Sequence, residues 1–267
     1  MLNVSIVIYK HIFSEVDKLI ETLLKSEVVN RLYIIDNSPA PSCDFNIDGV
    51  KYIFTGKNLG YGAAHNIALR KSIKNNIPYH LVVNPDILLE IDVLKSIIDF
   101  MDENTDIGHV MPKVVYPNGE IQYLCKLLPT PADLIFRRFL PEKWTKKSME
   151  RFEMRNSGYD KIMDVPYLSG CCMFLRTDAL KKSGLFDERF FLYPEDIDLT
   201  RRIGKHYRTV FYPYVSVVHH HARSSYKSFR MMMIHIWNLI KYFNKWGWIF
   251  DKERRRVNDE RVKSFEF

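Results

Sequence analysis

Arg31-Leu32-Tyr33-Ile34-Ile35-Asp36-Asn37-Ser38-Pro39 is the stretch that sets the fold class. Its apolar part is β-branched and too short for a helix, and it stops on an acid followed by turn formers. Upstream, residues 14–27 place Val16, Leu19, Ile20, Leu23 and Leu24 on a 3.6-residue stripe, with Ser14 as the expected cap. Before that helix, Val4-Ser5-Ile6-Val7-Ile8-Tyr9 reads as a buried first strand. Downstream come a third strand at 50–54, a Gly-containing turn at 56–62 and a helix at 63–75 with Ala64, Ile67, Ala68 and Leu69 inward. A fourth strand at 79–83 is halted by Asn84-Pro85-Asp86, a helix follows at 92–102, and a short strand at 108–111. Strand and helix alternating at this spacing predict an α/β fold, a mostly parallel central sheet flanked by helices. Such sheets bind ligands beyond the carboxyl ends of their strands, and Asp36, Asn58 and Asp86 fall just past those ends.

The rhythm breaks over residues 125–165. The segment 129–144 mixes Leu134, Ile135, Phe136, Phe139 and Leu140 with Arg137, Arg138 and Lys143, and reads as a lid, an acceptor-binding excursion or a surface amphipathic helix. Strand character returns at 167–175. A Gly184-Leu185-Phe186-Asp187 turn, a short helix at 196–203 with an acidic first turn, and strands at 209–211 and 215–218 follow. Residues 229–250 have helical period and are rich in aromatics, and the charged run 252–256 comes after them.

A chain of 267 residues suits one large domain, or one domain with a small appendage. With 46% hydrophobic and 27% charged residues it has ordinary globular composition and needs no disulfide staple. Cys43, Cys125, Cys171 and Cys172 lack zinc-site spacing and read as reduced and mostly buried, which suits a cytoplasmic chain. Neither a secretory leader nor a membrane span is expected. The net charge of +7 is uneven: residues 205–267 hold thirteen Lys or Arg against five Asp or Glu. That basic end suggests a polyanionic neighbour, either nucleic acid or an anionic membrane surface. No nucleic-acid module signature is present, so no nucleic-acid partner is expected, and docking onto the main domain or a membrane interface explains Trp246, Trp248 and Phe250 more simply.

Three features carry candidate chemistry. Asp36, Asp86 and the cluster Glu195-Asp196-Ile197-Asp198 put acids at element ends, where they hold metals or sugar hydroxyls, or merely cap helices. Gly60-Tyr61-Gly62-Ala63-Ala64 allows close backbone approach ahead of a helix, although it is neither a dinucleotide fingerprint nor a Walker loop. His219-His220-His221 ends a strand. Alternation sends His219 and His221 one way and His220 the other, and one of them could complete an oxygen-rich metal site with a carboxylate.

Taken together, these residues resemble the inverting glycosyltransferases of family 2 with the GT-A fold, in particular the rhamnosyltransferase-like branch of bacterial surface polysaccharide synthesis. The resemblance rests on Val4–Tyr9, Ile35-Asp36-Asn37-Ser38, the run from Asn58 to Asn66, Asn84-Pro85-Asp86, Ser169-Gly170, the run from Gly184 to Phe191, the run from Tyr193 to Leu199, His219 and Ser224. It covers residues 4–225 and implies a GT-A domain over 1–225, with 125–165 as a variable excursion and 226–267 as a basic aromatic helical extension. It further implies a nucleotide-diphosphate sugar donor and a polyprenyl-diphosphate-linked glycan acceptor, at the inner face of the cytoplasmic membrane, and leaves a homodimer open. Asp196 would be the general base, with Glu195 and Asp198 organising the site. Tyr9 and Asp36 would meet the nucleobase, and Asn58, Gly60, Gly62 and Asn66 would lie along the nucleotide. Asp86 and His219 would hold Mg2+ or Mn2+, with Asn84 in the place of the first acid of the family's DxD element, and Gly170 would border the donor sugar or acceptor. Tyr9-Lys10-His11 stands where the family more often has Thr-Tyr-Asn. A sugar-nucleotide nucleotidyltransferase is the competing enzyme class, but residues 9–14 lack the glycine its loop needs. A non-catalytic glycan-binding or scaffold protein is the competing non-enzyme.

Overall fold

The computed structural model describes residues 1–42, 47–134, 142–220 and 229–264. Cys43, the 135–141 part of the excursion, His221 and Ser224 lie outside the described residues. Strands β1 (Leu2–Ile8), β2 (Val29–Asp36), β3 (Val50–Phe54) and β4 (Tyr79–Val83) form a parallel half-sheet in the order β3-β2-β1-β4. Helices α1 (Asp17–Lys25), α2 (Tyr61–Lys74) and α3 (Ile91–Glu103) supply the crossovers. Ser14 does not cap α1: it lies in a 3-10 turn, closed by Glu15 accepting the Ile12 N–H, and the helix starts only at Asp17.

The sheet continues through β10 (Cys172–Arg176), β6 (Ile107–Val115), β11 (Arg208–His219) and β5 (Ile87–Leu88). Strand β10 runs antiparallel between β4 and β6, a reversal inside a mostly parallel sheet. Its amino end therefore sits at the same edge as the carboxyl ends of β1, β2, β4, β6 and β11. The expected strand at 167–175 is two pieces, because β9 (Tyr167–Leu168) leaves to pair with β7 (Cys125–Lys126) in a separate two-stranded sheet. Conversely, the two strands expected at 209–211 and 215–218 are one. Its register slips between Tyr212 and Ser216, where Pro213, which has no N–H to offer a ladder, is accommodated by the irregularity.

Leu2, Val4, Ile6 and Ile8 of β1 face α1 and α3 in the main core. The opposite face carries a buried polar row. Asn30 Nδ2 donates to Asn3 Oδ1, and Asn3 Nδ2 to Ser72 Oγ. Ser72 Oγ, His80, Ser5 Oγ and His65 follow at 2.7–2.8 Å per link. Because each hydroxyl has one proton, the donors run one way along this row. Helices α6 (Thr177–Ser183) and α7 (Glu195–Ile203) pack beside α2 through Leu69, Ala179, Leu180 and Leu199. Helices α4 (Pro131–Leu134) and α5 (Glu142–Phe152) and strand β8 (Met163–Asp164), which pairs with β11, lie in the 125–165 excursion. Helix α8 (Phe229–Trp246) buries Leu239, Tyr242 and Phe243 in the main core, and Gly247, at φ +101°, turns the chain toward α9 (Lys252–Lys263). Cys125, Cys171 and Cys172 are buried free thiols, and among the described residues no helix is long and apolar enough to cross a membrane.

Burial pushes the pKa of His80 and of His109 down to about 3. Each is neutral in the fold but takes a proton when unfolded below about pH 6.5. Stability is therefore complete above pH 6.5 and declines as the pH falls toward 3, by about 1.4 kcal/mol per pH unit per histidine. Urea unfolding of the parent and of His109→Leu between pH 7 and 4 should show the variant's slope shallower by about that amount. Parallel slopes would refute the assignment.

Candidate active site

The sheet's register brings the first pair of site residues together. Strand β5 begins immediately after Asp86 and pairs antiparallel with the end of β11, opposing Ile87 to His219. His220 N–H closes on the Asp86 carbonyl at 2.9 Å, and His219 Nε2 lies 3.3 Å from Asp86 Oδ1. His219 is buried while His220 faces outward, as alternation requires. On its other side, His219 Nδ1 lies 2.9 Å from Gln122 Oε1.

A second junction is built on Tyr61, the first residue of α2. Its hydroxyl donates to Gly170 O at 2.7 Å, and Asn84 Oδ1 lies 3.0 Å from that hydroxyl. Asn84 N–H in turn donates to Cys171 O. Gly170 N–H donates to Asp196 Oδ2 at 3.0 Å, and Tyr167 Oη stands 3.4 Å from that oxygen. A Cβ on Gly170 would press within 3.1 Å of the Asp196 Cβ, so glycine lets the two segments meet. Asn84, Gly170 and Asp196 are thus one connected cluster, with Asp86 two residues from Asn84.

Glu195 and Asp196 open α7 side by side. Burial raises both carboxyl pKa values. For Glu195 the Asp196 charge adds to the rise, and its Oε2 is buried without a hydrogen-bond partner, which favours a protonated, neutral carboxyl. For Asp196, N–H groups of Gly170 and Ile197 and the charge of Lys126 pull against burial, so Asp196 is the member of the pair that ionises.

Asp36 sits at the same edge, two strands from β4, roughly 10 Å along the hydrogen-bonding direction. Its carboxylate accepts from Ser38 N–H, Ser42 N–H, Ser42 Oγ and Tyr52 Oη, at 2.6–3.2 Å. Burial would raise its pKa, but hydrogen bonds from Ser38, Tyr52 and Ser42 outweigh it and hold the pKa below the usual carboxylate value. Asp36 thereby organises its own loop. Asn37 carries the link onward, its Nδ2 donating to Gly60 O. Tyr9 is exposed at the end of the neighbouring β1.

Five expected site residues have structural partners. Asn58 Oδ1 accepts the Gly60 N–H within its own turn. Gly60, at φ +88°, leaves no room for a Cβ against the Phe191 carbonyl, and at Gly62 a Cβ would collide with Phe186, so these glycines admit the 186–191 loop. Asn66 clamps that loop, donating to Phe186 O and Glu188 Oε1 and accepting from Phe186 N–H. Asp198 is fully buried away from Asp196. It pairs with Arg202 at 2.8 Å and Lys245 at 2.6 Å and accepts the Trp246 Nε1–H at 2.8 Å. Tyr167, Lys126 and Gln122 were missed. An Asp four residues before Arg202 was the visible sign that Asp198 had a cation of its own.

The sequence model described as "Glycosyltransferase like family 2" matches residues 44–234, more than half of the chain. The chain belongs to that family. This family 2 chain is 28% identical over 185 residues to N-acetylglucosaminyl-diphospho-decaprenol L-rhamnosyltransferase of Mycobacterium tuberculosis, covering 66% of this chain and 60% of the relative's length. It is 26% identical over 233 residues to rhamnosyltransferase WbbL of Escherichia coli, covering 80% and 83%. Among solved structures, GalNAc-T7 with UDP, GalNAc and Mn2+ matches at a TM-score of 0.60 and 14% identity, covering 82% of this chain and 43% of that one. That likeness shows the GT-A fold.

Removing a partner from a buried ion pair typically costs 3–5 kcal/mol. Asp198→Ala should therefore lower the unfolding free energy by about that much and loosen α8, read as faster proteolysis within 229–246. A loss below about 1 kcal/mol would show that the latch is not holding the helix.

Proposed function

We propose that this family 2 glycosyltransferase is an inverting enzyme that moves a sugar, rhamnose from dTDP-rhamnose, onto a hydroxyl of a polyprenyl-diphosphate-linked glycan. The observation that carries the proposal is the junction of Asn84, Gly170 and Asp196 through Tyr61, beside the Asp86–His219 pair, at the carboxyl edge of the sheet. The names of the mycobacterial and E. coli relatives support the sugar, and the former supports a lipid-diphosphate acceptor.

Asp196 is the general base in this reading. Among the described residues its Oδ1 accepts the Ile197 N–H, and a carboxylate oxygen with one such bond keeps capacity for an acceptor hydroxyl. The acceptor oxygen bonds to the anomeric carbon as that carbon's bond to the diphosphate oxygen breaks. The hydroxyl proton passes to Asp196, and the diphosphate leaves with the bonding pair, inverting the centre. Glu195, uncharged and packed against Gly62, keeps a second negative charge away from the base. Tyr9 and the Asp36 loop bound the nucleobase, with Gly60 and its turn alongside.

Asp86 and His219 suit a divalent cation: a carboxylate oxygen and an imidazole nitrogen converge, a donor set that favours Mn2+ over Mg2+. Among the described residues no three His, Cys, Asp or Glu side chains converge, so diphosphate oxygens would complete the coordination. When bound, the cation neutralises charge growing on the leaving diphosphate.

Within the extension, residues 226–267, α8 packs into the main core. Beyond it Ile249 and Phe250 stand 75% and 91% exposed, next to exposed Lys252 and Arg255. An apolar tip ringed by cations suits insertion into an anionic membrane surface, at the inner face of the cytoplasmic membrane.

Asp196→Asn should reduce transfer by at least a hundredfold while nucleotide affinity stays within a few-fold; transfer at the parental rate removes Asp196 as the base. The acid limb of kcat/KM should lie above the ordinary Asp range, because the Asp196 pKa is raised. The protein should pellet with phosphatidylglycerol vesicles at low salt, less at high salt and less as Phe250→Ser. Absence of pelleting at low salt would remove the membrane partner.

A further inference from the structure

The segment after β6 turns back through Tyr116 and Gly119, and Gln122 N–H returns to the Val114 carbonyl at 2.9 Å. This hairpin-like return buries the Gln122 side chain against the end of β11. Its Nε2 donates to His219 O at 2.9 Å and to Val115 O at 3.4 Å. Two backbone carbonyls can be met only by the NH2 end of an amide, so the amide's orientation is settled by its surroundings. Oε1 is then the atom facing His219 Nδ1 at 2.9 Å. An amide oxygen cannot donate, so Nδ1 must carry the proton. A neutral imidazole with its proton on Nδ1 has its lone pair on Nε2, the nitrogen 3.3 Å from Asp86 Oδ1.

We propose that Gln122 is a positioning residue: by gripping both the carbonyl and the Nδ1–H of His219, it fixes the tautomer and ring direction that make Nε2 a ligand for a divalent cation shared with Asp86. The inference rests on the reading of Asp86 and His219 as cation ligands. Its physical content is that one side chain removes two freedoms at once, the ring's tautomeric choice and its rotation. The cation then meets a prepared nitrogen and need not select one. Nothing in the sequence marks Gln122, because the contact joins positions 97 residues apart.

The test uses the full chain and Mn2+ itself, with and without dTDP, followed by electron paramagnetic resonance of free Mn2+. Gln122→Met, close in volume but unable to hold either group, should weaken Mn2+ binding 10- to 100-fold. In the metal-free protein, 15N NMR should place the His219 proton on Nδ1 in the parent and show a mixture of tautomers in the variant. Loss of a merely structural bond would shift the melting temperature without moving that spectrum. Should Gln122→Met fail to fold, Gln122→Asn, one methylene too short to reach Nδ1, carries the same expectation. Asp86→Ala and His219→Ala are the references. If both references weaken Mn2+ binding more than tenfold and the folded Gln122 variant stays within twofold, the inference is wrong while the cation reading stands. If the references also bind Mn2+ as the parent does, the cation reading fails and takes the inference with it.

Discussion

The hydroxyl of Tyr61 is the point on which the site depends. It closes on Gly170 O and on the Asn84 amide, and so ties the start of α2, the end of β4 and the loop between β9 and β10. Those segments come from three separate parts of the chain, and two of them bear a residue of the cluster, Asn84 and Gly170. The clasp works because β10 runs against its neighbours: an antiparallel strand delivers its amino end to the edge where parallel strands finish. A parallel strand there would have carried Gly170 to the far side of the sheet. Burial raises the Tyr61 pKa well above the usual tyrosine value, and nearby Cys171, Glu195 and Asp196 add to the rise, so the hydroxyl keeps its proton and remains a donor.

Several residues that look like ligand contacts in the sequence also serve as fittings between elements. Asn66 and the glycines at 60 and 62 hold or admit the loop from Phe186 to Phe191, which leads into α7. Asp198 fixes α8 to α7 through two cations and an indole. Their effect on chemistry runs through placement, since α7 presents Asp196 and the 186–191 loop sets where α7 starts. Arg201, one turn on, is held by Asp251 at the start of α9 and stacks on Trp246. The C-terminal helices are therefore braced against the element that bears Asp196.

The parallel half-sheet was legible because each strand is a short apolar run ended by a polar break, and those breaks mark one edge. Asp36, Asn84, Asp86 and His219 could be placed there for the same reason. The direction of strand β10 was hidden, since an apolar run carries no sign of which way it points. So was the division at Ser169–Cys171, which depends on β9 finding β7 more than forty residues upstream. The row of Asn3, Ser5, His65, Ser72 and His80 was invisible: each residue alone resembles a surface residue, and only the packing of α2 on β1 turns them inward. Asp196 and Asp198 were indistinguishable by type. The helix separates them, because two positions on is the opposite face.

Strand β11 enforces a counting rule. Between its start and His219 the chain gains three residues over β6 at Tyr212–Ser216. Side chains alternate sides, so parity alone decides whether His219 or His220 meets Asp86. Lengthening that irregular stretch by two residues preserves the inward imidazole, whereas a one-residue change exchanges it for its neighbour. Only a change in even steps at this stretch keeps His219 turned toward Asp86, several residues further along the strand.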